Sequence, residues 1–353
     1  MRILNILYNY RIGMRTQVQK ELTSQYFSVK YTVGPNQTGI RLDHFLVEHY
    51  RRRSRESLKK AIDSGAITVN RTQSPHLHIG KLKASTQLVF GDEVLVKSEK
   101  QEEPAVNFDY KILYEDDVLF VIDKPPNLPV HPSGRFFFNT LLTHLKTKGH
   151  SNPLNANEMY FLAHRIDKET SGVLVLTKDS ESCAHIVEQF ASRKTVKTYQ
   201  AIVNGITPLH FECSDAMARS KKSRIALKME CMSEIDGGLT AQTQFKRLEV
   251  FKKPNGLFSL IECYPKTGRQ HQIRVHLERL GFPIVGDKLY GRDEEFALLF
   301  YERERLTPEA EARLLIPRHA LHAASLTFEH PKTGERLTFH SPLPQDLKQF
   351  LET

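Results

Sequence analysis

The stretch HRIDKETSGVLVLTK, His164 to Lys178, sets two cations, two carboxylates and three small residues directly in front of an apolar run. The length and β-branched content of VLVLTK predict a strand, so the polar residues fall on the loop that leads into it. Beyond it, DSESCAHIVEQFASR predicts a helix capped at Asp179 or Ser180, with Cys183, Ile186, Val187 and Phe190 on its apolar stripe. KTYQAIVNG predicts a further strand with Tyr199, Ala201 and Val203 on one face. Asp167 is thereby expected on a loop carried by an ordered β-α-β frame, where rigid scaffolds display reactive groups.

Several chemistries would use such an aspartate. A kinase-like reading of HR.D lacks its companions, because the chain has no Gly-rich phosphate loop, no DFG and no P-loop. A glycosidase-like pair of Asp167 with Glu169 is chemically conceivable, yet residues two apart can face opposite ways and the mechanism demands a set separation. The bland alternative is an aspartate that caps a turn through its side chain.

A second constellation is YPKTGRQHQIRVHLERLGFPIVGDKLYG, Tyr264 to Gly291. A turn at Thr267 and Gly268 leads into a helix whose stripe is Ile273, Leu277 and Leu280, ended by Gly281. Arg269 falls near the helix start, where a cation opposes the macrodipole unless an anion compensates it. Asp167 would supply that anion, and Arg269 would in return hold the carboxylate ionised. Arg274 and His276 fit ordinary exposed positions or phosphate contacts. His319 and His322 in HALH have helical spacing for two metal ligands but no third ligand beside them, so a structural or RNA-contacting pair is the better reading.

At 353 residues the chain exceeds the ~100–200 residues of one ordinary core, which predicts two domains or one enlarged one. Apolar residues make up 40% and charged residues 26%, an ordinary globular balance. No apolar run approaches the ~20 residues of a spanning helix, so no membrane association is expected. The first acidic residue is Glu21, which raises a transit peptide as the minority reading; nothing resembles a secretory signal. Cys183, Cys213, Cys231 and Cys263 are scattered without C-x-x-C spacing, which argues against a zinc knuckle or a disulfide framework. The reducing cytoplasm is the expected compartment.

A formal charge of +9 and a pI near 9.2 favour polyanionic partners once the cations cluster, and here they do. HYRRRSRESLKK gathers six Arg and Lys against one Glu, including Arg51, Arg52, Arg53, Arg55 and Lys59. ARSKKSRIALK, with Lys221, Lys222 and Arg224, has no acidic residue. One such run alone would be read as a solvated surface; two tilt the balance towards nucleic acid. Around the first, GIRLDHFLVEHY predicts a short helix, and Ser54 caps a second with Leu58, Ala61 and Ile62 inward and a stop at Gly65. AITVN predicts a strand and LVFGDEVLV two more about a Gly-Asp turn. KSEKQEEPAV has the composition of a linker. The expected division is an extension at 1–36, a small α/β module at 37–98, a linker at 99–105 and a large domain at 106–353.

The small module resembles an S4 RNA-binding domain, with RLD opening its first helix, SR its second, and AITVN where that family has G.V.VNG, although Arg71 stands where the family often has Gly. The larger part resembles the RluA family of pseudouridine synthases. Its signature HRLD..TSG appears as HRIDKETSG, followed or preceded in order by YEDD...VIDKP...LPVHP, KTYQAIVNG, TGRQHQIRVHL, GDKLYG and ALHAASLTFEHP.TGE...F.SPLP.DL. Asn127 departs from a usual Gly, and Asn tolerates the left-handed conformation well. The resemblance implies an α+β catalytic fold on a mainly antiparallel mixed sheet with flanking helices, and isomerisation of uridine to pseudouridine without cofactor or metal. Asp167 matches the catalytic aspartate, Arg269 the residue paired with it, Tyr199 a tyrosine lying against the target base, and Ile273 an aliphatic residue on the base's other side. Arg165 matches the position that fills the space left by an extruded nucleotide, and His164 and Thr170 complete the substrate loop. An appended S4-like module favours large-subunit ribosomal RNA, with transfer RNA as the alternative. A monomer without a protein partner is expected. Competing classes are a non-catalytic RNA-binding protein, which would not need Asp167, Tyr199 and Arg269 together, and a carbohydrate hydrolase, which would need a second placed carboxylate.

Overall fold

The computed structural model describes residues 16–352, apart from 24, 51–53, 72, 74–76, 78, 100, 101, 135, 150–158, 293 and 304–307. Contacts divide the chain into two units, Met1–Glu102 and Glu103–Thr353.

The first unit contains β1 (Thr16–Leu22), β2 (Tyr26–Val33), α1 (Leu42–His49), α2 (Arg55–Asp63), β3 (Ile67–Asn70) and β4 (Glu93–Glu99). Its antiparallel sheet runs β1-β2-β4-β3. The segment set apart above as an extension therefore supplies half the strands, β2 pairing with β4 from Tyr26 opposite Glu99 to Thr32 opposite Glu93. Alternation in β2 turns Val29, Tyr31 and Val33 inward, onto Leu42, Phe45 and Leu46 of α1 and Leu58 and Ile62 of α2. Ser54 caps α2 as its residue type predicts, accepting from the Ser57 amide at 3.2 Å, and Gly65 ends it at φ +79°. Only the second half of LVFGDEVLV is a strand, because Leu88 instead bonds Ile40 across the module. Arg71 has its own use: it forms a two-pronged pair with the buried carboxylate of Asp92, at 2.8 and 2.7 Å.

The second unit begins with β5 (Lys111–Glu115), β6 (Leu119–Lys124), α3 (Leu141–Gly149), β7 (Phe161–Leu162), β8 (Ser171–Thr177), α4 (Ser180–Ala191) and β9 (Val196–Asn204). It continues through β10 (His210–Cys213), β11 (Met217–Arg219), β12 (Met229–Cys231), β13 (Thr243–Lys253), β14 (Gly256–Pro265) and α5 (Gln272–Arg279). The remainder is α6 (Glu294–Arg303), α7 (Pro308–Ala312), β15 (Leu321–Glu329), β16 (Arg336–His340) and α8 (Gln345–Glu352). The large sheet runs β10-β13-β14-β9-β15-β8-β6-β5, with β16 on β15 and β7 on β8. It is antiparallel except where β15 meets β8. The α+β architecture expected of the sequence is thus present. Every residue of β8 is buried, which explains its unbroken apolar reading.

That parallel contact fixes the loop before β8. His322 lies opposite Ser171 and Ala323 opposite Gly172. Gly172 adopts φ +111°, and a Cβ there would stand 2.2 Å from the Ala323 carbonyl oxygen, so only glycine lets the two backbones approach. Ser171 Oγ bonds His322 Nδ1 at 3.0 Å and Thr170 Oγ1 bonds His319 Nε2 at 2.8 Å. The two histidines of HALH are accordingly buried structural partners, His319 just before β15 and His322 within it, not on a helix.

Candidate active site

Asp167 lies between two elements that hold its loop from opposite ends. On one side is the Thr170–Ser171–Gly172 junction with β15. On the other is Lys124, the last residue of β6, whose fully buried ammonium donates to the carbonyls of Pro125 (2.8 Å), Leu128 (3.1 Å) and Lys168 (3.1 Å). Burial pushes this lysine down to about 7. The Pro-rich loop after β6 follows from these bonds, and Asn127 in it adopts the left-handed conformation, φ +57°.

The aspartate opens on a cavity of about 490 Å³, inside the ~300–1,000 Å³ range of small-ligand sites. All seven residues chosen from the sequence as catalytic or substrate-binding line it, including Arg165, Tyr199 and Ile273. The expected ion pair is different, however. Arg269 is exposed and its Nε donates to the Thr240 carbonyl at 3.1 Å. The cation on Asp167 is Arg274, whose Nη1 reaches Asp167 Oδ2 at 2.8 Å while Nε and Nη2 reach Asp287 at 2.7 and 2.9 Å. Helix α5 begins only at Gln272, so Arg269 precedes it and lies outside its first turn. Arg274 and His276, read above as exposed or phosphate-facing, are both buried. Asp287 in turn accepts from the Leu289 and Tyr290 amides, and the Arg274 guanidinium lies 4.9 Å from the Tyr290 ring centre. A planar fork can grip one carboxylate with two bonds and donate a third to another; an ammonium lacks that planar pair of donors.

Burial alone would raise the Asp167 carboxyl, but the charges of His271, Arg274 and Arg165 and the bond from Arg274 outweigh it and hold the group below its ordinary value. His271 is itself pushed down to about 4 by burial, so it is neutral near pH 7 and Arg274 is the cation that counts there. His271 caps α5 at φ +55°, a left-handed conformation rare outside glycine, with Nδ1 2.8 Å from Tyr290 Oη and Nε2 3.8 Å from Asp167 Oδ1. At that distance Oδ1 is not hydrogen-bonded to it and faces the cavity.

The other lining groups have distinct surroundings. Tyr199 on β9 has its phenol pushed far up by burial and by the nearby Asp167, so it stays protonated. His164 accepts from the Val175 amide at 3.0 Å and stacks on Phe190, which makes it a neutral support for β8. Burial pushes it down to about 3. Lys197, unremarked in the sequence, donates to Thr267 at 3.3 Å, and burial pushes it down to about 8. Arg165 is exposed and donates to His131 Nε2 at 2.8 Å.

A profile described as RNA pseudouridylate synthase matches residues 118–279, which contain Asp167, Tyr199 and Arg274. The uncharacterized RNA pseudouridine synthase YlyB of Bacillus subtilis is 31% identical over 92% of this chain and 97% of its own. The chain belongs to the RluA family of RNA pseudouridine synthases. Ribosomal large subunit pseudouridine synthase D of Zymomonas mobilis is 34% identical over 90% of this chain and 94% of its own. Among solved structures, Human RNA Pseudouridylate Synthase Domain Containing 4 superposes with a TM-score of 0.52 at 30% identity, covering 68% of this chain and 91% of that one. This synthase is therefore an isomerase.

The cations assigned to RNA backbone lie elsewhere. Arg55 and Lys59 share an exposed face of α2, one turn apart. Lys221 and Lys222 are exposed between β11 and β12. Arg224 is exposed too, but its guanidinium pairs with Glu295. Arg51, Arg52 and Arg53 fall outside the described residues. Among the described residues, no helix is long and apolar enough to cross a membrane.

Proposed function

We propose that this synthase isomerises uridines of large-subunit ribosomal RNA, with Asp167 as the catalytic carboxylate and no cofactor. The observation that carries the reading is the environment of Asp167: an ionised carboxylate with one oxygen held by Arg274 and the other turned into a nucleotide-sized cavity. The reaction breaks the bond from N1 to the ribose, joins carbon 5 to the same ribose carbon, releases the carbon 5 proton and leaves N1 carrying a proton. No electron is gained or lost overall. Each route, attack on base, attack on sugar or elimination, begins from a carboxylate that is charged, aimed and free to act.

Tyr199 fits a neutral platform against the base, since its phenol is held protonated. Ile273 supplies apolar contact from α5. Extruding a stacked nucleotide costs a few kcal/mol, and the exposed Arg165 guanidinium suits the vacated space because it can stack and donate at once. The first unit is read as an S4-like module, and its Arg55 and Lys59, with Lys221 and Lys222, as contacts to RNA phosphates. The ribosomal assignment is supported by the relatives named for the large subunit.

The test is tritium release from carbon 5 of labelled uridine in unmodified ribosomal and transfer RNAs, comparing native protein with Asp167→Asn. Release by the native protein from large-subunit RNA and none by the variant is expected. Release from transfer RNA alone would move the substrate, and equal release by the variant would remove Asp167 from the chemistry.

A further inference from the structure

Three metal-ligating side chains meet outside the lining of the Asp167 cavity. Cys213 ends β10, Cys231 ends β12 and His276 sits in α5, and one ligand atom of each lies within 4.8 Å of the others. Cys213 and His276 are buried and Cys231 half-buried. Among the described residues this is the one grouping of its kind. The sequence carries no signal of it, because its members come from three stretches with no motif spacing; the fold brings together cysteines that are scattered in the chain.

We propose that Cys213, Cys231 and Nε2 of His276 bind one zinc-class divalent cation, with the fourth position open to water or to the Asp215 carboxylate. Two thiolates and an imidazole are the donors that borderline-soft cations select. Zinc bonds of about 2.3 Å to sulfur and 2.0–2.1 Å to nitrogen set tetrahedral ligand atoms roughly 3.6–3.8 Å apart. With every separation within 4.8 Å, the ligands need close by no more than about 1 Å, a shift on the scale of cysteine rotamer adjustment. The supporting shell is in place. His276 Nδ1 lies 2.9 Å from Thr243 Oγ1, which Gln272 Nε2 contacts at 2.9 Å, so the ring is oriented from behind. Nε2 faces the Asp215 carbonyl at 3.1 Å, two residues past Cys213, and binding would replace that single bond. The Asp215 carboxylate is exposed and pairs with the exposed Arg279.

The other cysteines provide the contrast. Cys263 is fully buried in the apolar cluster that also holds Cys213, and Cys183 lies in α4 against a second apolar cluster, neither of them in such a grouping. The cation would join the edge strand β10, the hairpin of β11 and β12, and α5 two residues from Arg274, which makes its role structural. It would be independent of the identity of the RNA.

The experiment uses the full chain, reduced and stripped with chelator, titrated with cobalt(II) and then zinc. One equivalent of cobalt should give thiolate charge-transfer absorption and the intense visible bands of a tetrahedral site, and zinc should displace it. Cys231→Ser should weaken uptake by ~100-fold or more, beyond the ~10–100-fold that loss of a supporting partner costs. Cys183→Ser should leave uptake unchanged. In native protein, zinc should slow alkylation of Cys231 and leave that of Cys183 as it was, a readout that needs no variant to fold. Weak octahedral cobalt bands, absence of zinc protection, or a Cys213–Cys231 disulfide in the reduced preparation would each overturn the proposal.

Discussion

Asp167 and Glu169 leave one loop two residues apart and meet opposite surroundings. Glu169 faces Lys288, which pairs with it, and accepts from the His319 amide at 3.2 Å with the ring Nδ1 at 3.4 Å; its side chain is 14% exposed. Asp167 faces the cavity, with one oxygen on Arg274 and the other without a hydrogen bond from His271. Both are carboxylates of low exposure beside cations, so charge and burial do not separate them. Saturation does: the fixed partners of Glu169 come from the protein, while Asp167 keeps an oxygen for a substrate. The same contrast disposes of a glycosidase-like pair, since Glu169 is held by Lys288 and His319 and does not line the cavity that Asp167 opens on.

The sharpest break of this comparison is Asp167→Asn against Glu169→Gln. Tritium release should vanish in Asp167→Asn with stability within ~1 kcal/mol of native, because Arg274 keeps Asp287. Next comes Arg274→Met, which leaves Asp167 and Asp287 without their shared cation and should cost ~3–5 kcal/mol in urea unfolding as well as most of the turnover. It should also displace the acid limb. The Asp167 carboxyl is depressed in the folded protein, so its contribution to stability is full above the unfolded value of ~3.9 and is lost as pH falls through the lower folded value. Without Arg274, burial is opposed only by the charges of His271 and Arg165, and the acid limb of kcat/KM should rise towards that unfolded value.

Glu169→Gln strips Lys288 of its carboxylate and should cost ~3 kcal/mol, yet the folded fraction should still release tritium. Loss of turnover in a folded Glu169→Gln sample would end the distinction drawn here. Arg269→Ala should change stability by no more than ~0.5 kcal/mol and act on KM, being exposed and bonded to one carbonyl. The smallest effect belongs to Lys221→Ala with Lys222→Ala: RNA binding should weaken about equally across sequences, and the slope of log K against log salt should flatten by ~2 in filter binding.

Local signals carried much of this architecture. The Ser54 cap, the Asp179 cap, the unbroken apolar β8 and the loop of Asp167 each follow from residues within a few positions of one another. What escaped was pairing between distant segments. Arg269 and Arg274 both stand in TGRQHQIRVHL, and periodicity could not say which reached Asp167, because α5 buries Gln272 through Leu277 on every side instead of showing one apolar stripe. Asp287, the second anchor of Arg274, carried no signal alone. Likewise β2 joins β4 across some 60–70 residues, a register invisible to local pattern.

The parallel seam at Gly172 also bears on timing. The partners that hold the Asp167 loop, His319 and His322, follow Thr170 and Ser171 by 149 and 151 positions. At ~5–20 residues per second, a ribosome making this chain spends roughly 8–30 s between the aspartate loop and the strand that secures it. Through that interval the nascent protein can hold its carboxylate loop only from the Lys124 side.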